Sequence, residues 1–395
     1  MSQMVTHPHS QAGTPPADAT SQRASSRVSQ RAIAVSAGVI AAAILILLIW
    51  LGSRGFQWFD ATLIGYAVAS VFALAAVTYK YTFWLMRPQT GLYFRRGWQL
   101  FFSFQNFARY AALVPSAIFT GILAQTFIRH RSVYRWITHL CIFWGVVLSV
   151  CITFPLTFGW LRFTQTSASQ YRIWVLGFPL FAFDPNSVFG FMVYHALVFT
   201  TIPLIVGLIL AFHRRFHDIA SIAIQRFGFD IVPLALLFAI ALTGLALTAD
   251  STFFGGAFYW FISLTHEAVV VFWLISLPFG KFFHIIERPA TVGVELYWRT
   301  GKDGPQRACP RCGQYFAPVR FINDLKRTLA DIGQDYYVAR GRAVAPGQAE
   351  EQAPGAAAPA QDTDIWWQDF CPDCKRVMRG EANMAALGRN GNRFL

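Results

Sequence analysis

Six stretches of the chain are apolar for long enough to cross about 30 Å of hydrocarbon: residues 32–52, 62–86, 133–160, 187–212, 229–249 and 259–286. Each predicts a membrane-spanning helix. Between the second and third, residues 91–128 mix Arg95, Arg96, Arg109 and Gln125 with Phe101, Phe102, Phe104 and Phe107, the pattern of an amphipathic segment lying at an interface. Residues 1–31, rich in Ser, Thr, Gln, Pro and Ala, have too little apolar surface to fold and are expected to form a disordered tail, so its His7 and His9 carry no signal. The Ala/Pro/Gln-rich stretch 343–361 reads as a flexible insertion.

Composition strengthens the membrane reading, with 55% hydrophobic and 13% charged residues and a mean hydropathy of +0.41. A net charge of +13 could suggest nucleic acid, but the arginines do not form one basic face. They gather in alternate connections: Arg23, Arg27 and Arg31; Arg87, Arg95, Arg96, Arg109, Arg129, Arg131 and Arg135; then Arg214, Arg215 and Arg226. The opposite connections hold mainly Arg54, Arg162 and Arg172. By the positive-inside rule both termini face the cytoplasm. The first span has no small-residue cleavage site before Trp50, Arg54 and Trp58, so it reads as a retained anchor.

His266 and His284 lie eighteen residues apart in the last span. On one continuous helix that is about five turns and about 27 Å, so they would share a face with one near each side of the membrane. His195 and His213 repeat the interval in the fourth span. Histidines at two depths of a bundle are what two stacked haems need, which suggests electron transfer across a bilayer. A hydrogen-bonded core histidine is the plainer reading, yet polar groups in hydrocarbon are costly and tend to be functional. His213, in the run His213-Arg214-Arg215-Phe216-His217, reads instead as the cationic end of a helix, and His130 between Arg129 and Arg131 invites the same reading.

The strongest short motif pairs Cys309-Pro310-Arg311-Cys312 with Cys371-Pro372-Asp373-Cys374. Two such knuckles bring four thiolates within reach of one tetrahedral ion. Structural Zn, a rubredoxin-like Fe centre, and disulfides or free thiols stay open in that order, a reducing compartment weighing against disulfides. Trp366, Trp367 and Phe370 beside the second knuckle are expected to be core rather than contact surface. Cys141 and Cys151 lie about 15 Å apart on one helix, too far to bridge. No Gly-rich phosphate loop, nucleophile elbow or metalloprotease helix occurs, so hydrolase and nucleotide-driven readings have no support.

The expected fold is thus an all-α integral membrane helical bundle of about six transmembrane helices with a small cytoplasmic four-cysteine domain, zinc-ribbon- or rubredoxin-like. Its divisions are the tail at 1–31, two N-terminal spans in 32–86, an amphipathic cytoplasmic connection at 87–132, a four-helix core at 133–287, and the four-cysteine domain at 288–395.

Thr138-His139-Leu140-Cys141-Ile142-Phe143-Trp144-Gly145 resembles the first haem-ligand helix of respiratory nitrate reductase gamma subunits. Pro278-Phe279-Gly280-Lys281-Phe282-Phe283-His284, followed by Pro289, resembles the end of that family's last span, with His266 at the position of its upstream ligand. Asp230-Ile231-Val232-Pro233-Leu234 through Thr243-Gly244-Leu245 is similar to the fifth span of these proteins and of the heterodisulfide-reductase and sulfite-reductase-associated membrane cytochromes. The likeness covers roughly 125–300 and does not include the four-cysteine domain.

The resemblance implies a cytochrome b with two haems b, exchanging electrons between the membrane quinone pool and a cytoplasmic iron-sulfur or molybdenum partner. It implies His139 and His284 as ligands of the haem nearer the cytoplasm and His266 as a ligand of the outer one. The family's remaining ligand would fall where this chain has Ser149. His195, about eight residues into a span entering from the outside as His266 does, is the expected substitute, at matching depth. No spanning histidines lie thirteen or fourteen apart on two helices, against cytochrome bc-type and ferric-reductase-type cores. Glu267 and Asp250 are candidate proton acceptors for a quinol, with interfacial solvation as the plainer reading. Arg172 or Tyr171 could contact a quinone oxygen. The expected location is a bacterial or archaeal cytoplasmic membrane, with the protein serving as the quinol-oxidising or quinone-reducing subunit of an oxidoreductase and no nucleic-acid partner. The alternative is a haem-free membrane transporter or scaffold with a regulatory zinc domain.

Overall fold

The computed structural model describes residues 17–102, 111, 113–167, 169–334, 336–339 and 365–390. In chain order its main elements begin with helices α1 (Ala17–Gly52), α2 (Ile64–Leu85), α3 (Pro88–Phe101) and α4 (Val133–Thr157). Strands β1 (Leu161–Ser167), β2 (Gln170–Val175) and β3 (Phe178–Phe183) follow, then α5 (Val188–Tyr194), α6 (Ala196–His217), α7 (Val232–Phe253) and α8 (Tyr259–Ser276). The C-terminal part comprises α9 (Thr291–Lys302), β4 (Gln306–Ala308), β5 (Tyr315–Pro318), α10 (Val319–Asp331), β6 (Tyr337–Ala339), β7 (Ile365–Trp366) and α11 (Pro372–Asn390). Two compact units result: a helical unit of Met1–Met86 with Ile118–Pro289, and a cysteine unit of Arg87–Ala117 with Ala290–Leu395.

Six helices in the helical unit are long and apolar enough to cross a membrane: Val28–Gly52, Ala61–Leu85, Val133–Thr157, Ala196–His217, Phe227–Phe253 and Tyr259–Ser276. They neighbour one another in the order α1, α2, α8, α7, α6, α4. The central cluster takes Ala69 and Ala73 from α2, Leu204 and Leu208 from α6, Leu237 and Ala241 from α7, and Trp273 and Leu274 from α8. Glycines let α4 and α6 approach closely. A Cβ on Gly145 would come 2.6 Å from the Leu204 Cβ, and one on Gly207 2.9 Å from the Cys141 Cβ. Large apolar side chains face outward, among them Val39, Ile40 and Ile44 on α1 and Ile202, Val206 and Ile209 on α6.

Several boundaries differ from the sequence reading. Residues 17–31, expected in the disordered tail, are helical as the start of α1; their Ala, Arg and Gln are helix formers that extend the apolar helix backward. Residues 1–16, with His7 and His9, lie outside the described residues, as do Phe104, Phe107, Arg109 and the insertion at 343–361.

The last span is not one helix to 286. α8 stops at Ser276, Gly280 adopts an extended backbone, and a new turn runs Lys281–Phe283 into His284–Glu287. Pro278 supplies no N–H, and the N–H groups of Phe279 and Gly280 both turn back to the Ser276 carbonyl. His266 and His284 therefore do not share one helix face. The fourth span is likewise jointed at His195, whose N–H still bonds the Phe191 carbonyl and whose carbonyl still accepts from Phe199, so the chain keeps its course through the joint.

The bundle is also not all-α. β1, β2 and β3 form an antiparallel meander between α4 and α5, with Arg162 opposite Trp174 and Arg172 opposite Ala182. Leu176 and Gly177, both with positive φ, close the β2–β3 hairpin. Arg54 donates to the Gly177 carbonyl at 3.1 Å and lies 4.6 Å over the Trp58 ring. Cation and aromatic faces thereby hold the sheet to the α1–α2 connection.

In the cysteine unit the expected 87–132 connection divides, because α3 packs on α9 and α10 while residues from Ile118 onward belong to the helical unit. The buried Asp324 on α10 makes this junction. It pairs with Arg96 of α3 through bonds of 2.9 and 3.2 Å and accepts the Tyr297 hydroxyl of α9 at 2.8 Å. Burial, helped by that carboxylate, raises the Tyr297 phenol above its ordinary pKa. A second buried carboxylate, Asp369, meets Arg307 and Lys326, each at 2.9 Å, and accepts the Trp366 N–H.

Candidate metal centre and the bundle histidines

The first knuckle follows β4, where Gly313 turns with positive φ and donates its N–H to the Cys309 carbonyl. The Cys309 N–H is returned to the Gln314 carbonyl at 2.9 Å. The second knuckle opens α11, where the Cys371 N–H points at the Cys309 sulfur and the Cys374 N–H at the Cys371 sulfur, each at 3.4 Å. The four Sγ atoms lie within 4.8 Å of one another, and Cys312 and Cys371 are 3.7 Å apart. A disulfide needs about 2.05 Å. The edge of a tetrahedron with metal–sulfur bonds of about 2.3 Å is about 3.8 Å.

The donor set fits a tetrahedral soft metal. Burial opposes ionisation of Cys309, but the N–H groups of Cys371, Cys312 and Arg311 outweigh it and hold the thiol below its usual range. Burial pushes Cys374 the other way. Cys309, Cys371 and Cys374 are buried with Phe370 and pack against Phe316, Ile365 and Met378. Trp366 and Phe370 are buried as core, whereas Trp367 is half-buried.

The bundle histidines are held in a common manner. His266 on α8 has its Nδ1 2.8 Å from the Thr243 hydroxyl of α7, and that hydroxyl also lies 2.7 Å from the Ala239 carbonyl, an acceptor for its one proton. With the hydroxyl proton on that carbonyl, Thr243 accepts from His266 Nδ1, the tautomer that leaves the Nε2 lone pair bare. A Cβ on Gly244 would sit 3.4 Å from the ring, so glycine leaves space beside it. At the joint between α5 and α6, His195 meets the Phe191 carbonyl at 2.9 Å through Nδ1 and stacks on the Phe191 ring. His284 meets the Lys281 carbonyl through Nδ1. A carbonyl can only accept, so both rings again leave Nε2 open.

His139 differs, its Nδ1 being buried without a partner. His284 and Arg288 lie near enough to interact with it electrostatically, so the structure brings His139 and His284 into one region. No hydrogen bond or ring contact among the described residues joins His195 to His266. Their helices α6 and α8 both pack on α7. Ser149, at the position lacking an imidazole, hydrogen-bonds Thr200 of α6 at 2.8 Å, little more than a turn beyond His195.

The carboxylates are placed differently. Asp250 is buried, with Oδ1 accepting the Phe258 N–H at 3.1 Å and Oδ2 unpartnered. Glu267 lies against α2, its Oε1 where a Cβ on Gly65 would stand. Arg172 has a buried Nε without a partner on β2. Thr243 and the carbonyls of Phe191 and Lys281 escaped the sequence reading. Backbone acceptors have no sequence signal, and Thr243 meets His266 only because α7 lies beside α8. No family model, curated protein sequence or solved structure matches this chain.

Proposed function

We propose that the chain is a multi-pass membrane cytochrome b of the bacterial or archaeal cytoplasmic membrane, with both termini in the cytoplasm. The observation that carries this reading is the imidazole arrangement. Three histidines anchored through Nδ1 offer Nε2, the state an axial ligand needs, with orientation supplied by a hydroxyl or carbonyl. The orphaned Nδ1 of His139 beside His284 adds a fourth imidazole whose polar valence the protein alone leaves unmet. Apolar outward faces on six span-length helices support insertion in a bilayer.

His139 and His284 would hold the haem nearer the cytoplasm, and His195 and His266 the outer one. Bound haem b supplies one-electron chemistry between a quinol and a cytoplasmic iron-sulfur or molybdenum subunit. The residues themselves set ring orientation through Thr243, Phe191 and Lys281. Glu267, next to His266 in sequence, and the free Oδ2 of Asp250 are the candidate proton acceptors. The four cysteines would hold zinc as a structural ion; iron there would add a carrier.

The test is a reduced-minus-oxidised visible spectrum of purified protein with pyridine haemochrome and Zn/Fe quantitation. A b-type spectrum with about two haems per chain is expected, and His284→Ala should remove about half of the haem. Protein free of haem despite verified haem supply would overturn the reading in favour of a haem-free transporter or scaffold with a zinc domain.

A further inference from the structure

A cavity of about 400 Å³ opens where α4 begins and α6 ends, lined by Ser132, Arg135, His213, Arg214, His217 and Asp218, with Tyr134 completing the wall. It lies outside the metal and haem-ligand residues. Its lining holds two guanidinium groups, one carboxylate and the imidazoles of His213 and His217, which stack on each other, and the carboxylate accepts the Ala220 N–H at 3.2 Å. Arg135 stands close enough to Arg214 for their like charges to interact, and the one carboxylate, Asp218, which also interacts with Arg214, offsets only one of the two guanidinium charges, so the cavity keeps a net positive charge.

The start of α4 adds directed donors. Ser132 is its N-cap, with Oγ accepting the Arg135 N–H, so its own hydroxyl proton is left to donate. The first turn leaves the Val133 and Tyr134 N–H groups without intrahelical partners. A tetrahedral oxyanion is the ligand that takes guanidinium, hydroxyl and first-turn amides together. The location selects the source. Val133 opens one candidate span and His217 closes its neighbour, the level at which lipid phosphates meet protein. Exposed Val133, Ile137 and Ile209 continue from the cavity along the same helices, where acyl chains would lie.

We propose that this cavity binds the phosphate of one anionic phospholipid. The lipid source rests on the bilayer reading, whereas the phosphate chemistry does not. The test uses full-length delipidated protein in uncharged detergent, followed by native mass spectrometry with dioleoylphosphatidylglycerol, dioleoylphosphatidylcholine and inorganic phosphate as probes. One phosphatidylglycerol per chain should be retained at concentrations where phosphatidylcholine is not. Arg135→Gln should weaken it about tenfold, the loss of one charge-assisted contact. Ser132→Asp preserves an N-cap while placing a negative charge at the site, and should abolish retention with the helices intact by circular dichroism. Arg31→Gln, which removes the same charge from an exposed position on α1, should leave binding unchanged.

Retention by Ser132→Asp equal to wild type would overturn the site. Inorganic phosphate displacing the lipid at equal concentration would overturn the lipid as its ligand. Reconstitution into phosphatidylcholine nanodiscs checks membrane insertion separately, so failure there is distinguishable from failure here.

Discussion

The helical unit and the cysteine unit invert each other's distribution of polarity. In the helical unit the central cluster between helices is small or apolar, Asp250 is the unit's single buried carboxylate among the described residues, and many large apolar side chains are exposed, as at Val39, Ile40, Ile202 and Ile209. In the cysteine unit full charges are buried: Asp324 is 4% exposed, Lys326 8% and Asp369 1%. The contrast follows from the surroundings each unit must satisfy. A helix with an apolar exterior saturates its own backbone and needs only close approach from its neighbours, which Gly145 and Gly207 allow. The cysteine unit has a small apolar core, and beside it stand a cluster of four cysteines and buried ion pairs.

The largest effect that would sharpen this contrast is expected at the four cysteines. With zinc held by the four cysteines as proposed, Cys371→Ser, or a strong chelator, should unfold the cysteine unit while the spans stay helical, since a structural zinc contributes on the order of 10 kcal/mol to such folds. Limited proteolysis should then cut from about residue 300 onward, with metal content falling towards zero; cleavage unchanged from wild type would break the comparison. Asp369→Asn comes next, at about 3 kcal/mol, because Lys326 loses the carboxylate that accompanies its burial. Thermal unfolding of the cysteine unit measures it, and a shift under 1 °C would show that Asp369 does not organise that core.

In the helical unit the sensitive change is steric rather than ionic. Gly145→Ala should cost about 2 kcal/mol by forcing α4 away from Leu204 on α6, read as a lower unfolding temperature in detergent. The smallest effect is expected at Glu381→Gln, which removes the exposed partner of Arg311 beside the first knuckle. Metal retention and melting should both remain unchanged, and a measurable loss of metal would place that pair among the supports of the site.

Legibility from sequence differed in the same way between the two units. The spans and the paired Cys-x-x-C knuckles were legible because hydropathy and two-residue spacing are local properties. The joint at His195, the break after Ser276 and the meander at 161–183 were not. An apolar run conceals Pro278 and Gly280 until the backbone bonds of Phe279 and Gly280 are traced. Strand alternation in Leu161–Val175 is obscured by aromatic residues on both faces.

Sequence alone determined that this chain has six span-length apolar helices, alternate arginine-rich connections and four cysteines in ligand spacing, since each depends on neighbours along the chain. Only the tertiary structure decided that Thr243 orients His266, that Asp324 draws α3 to α9 and α10, and that Asp369 lies between Arg307 and Lys326. These partners are separated by 23 residues for Thr243 and His266 and by 228 for Arg96 and Asp324. Such contacts follow from which elements pack side by side, a property that no local pattern encodes.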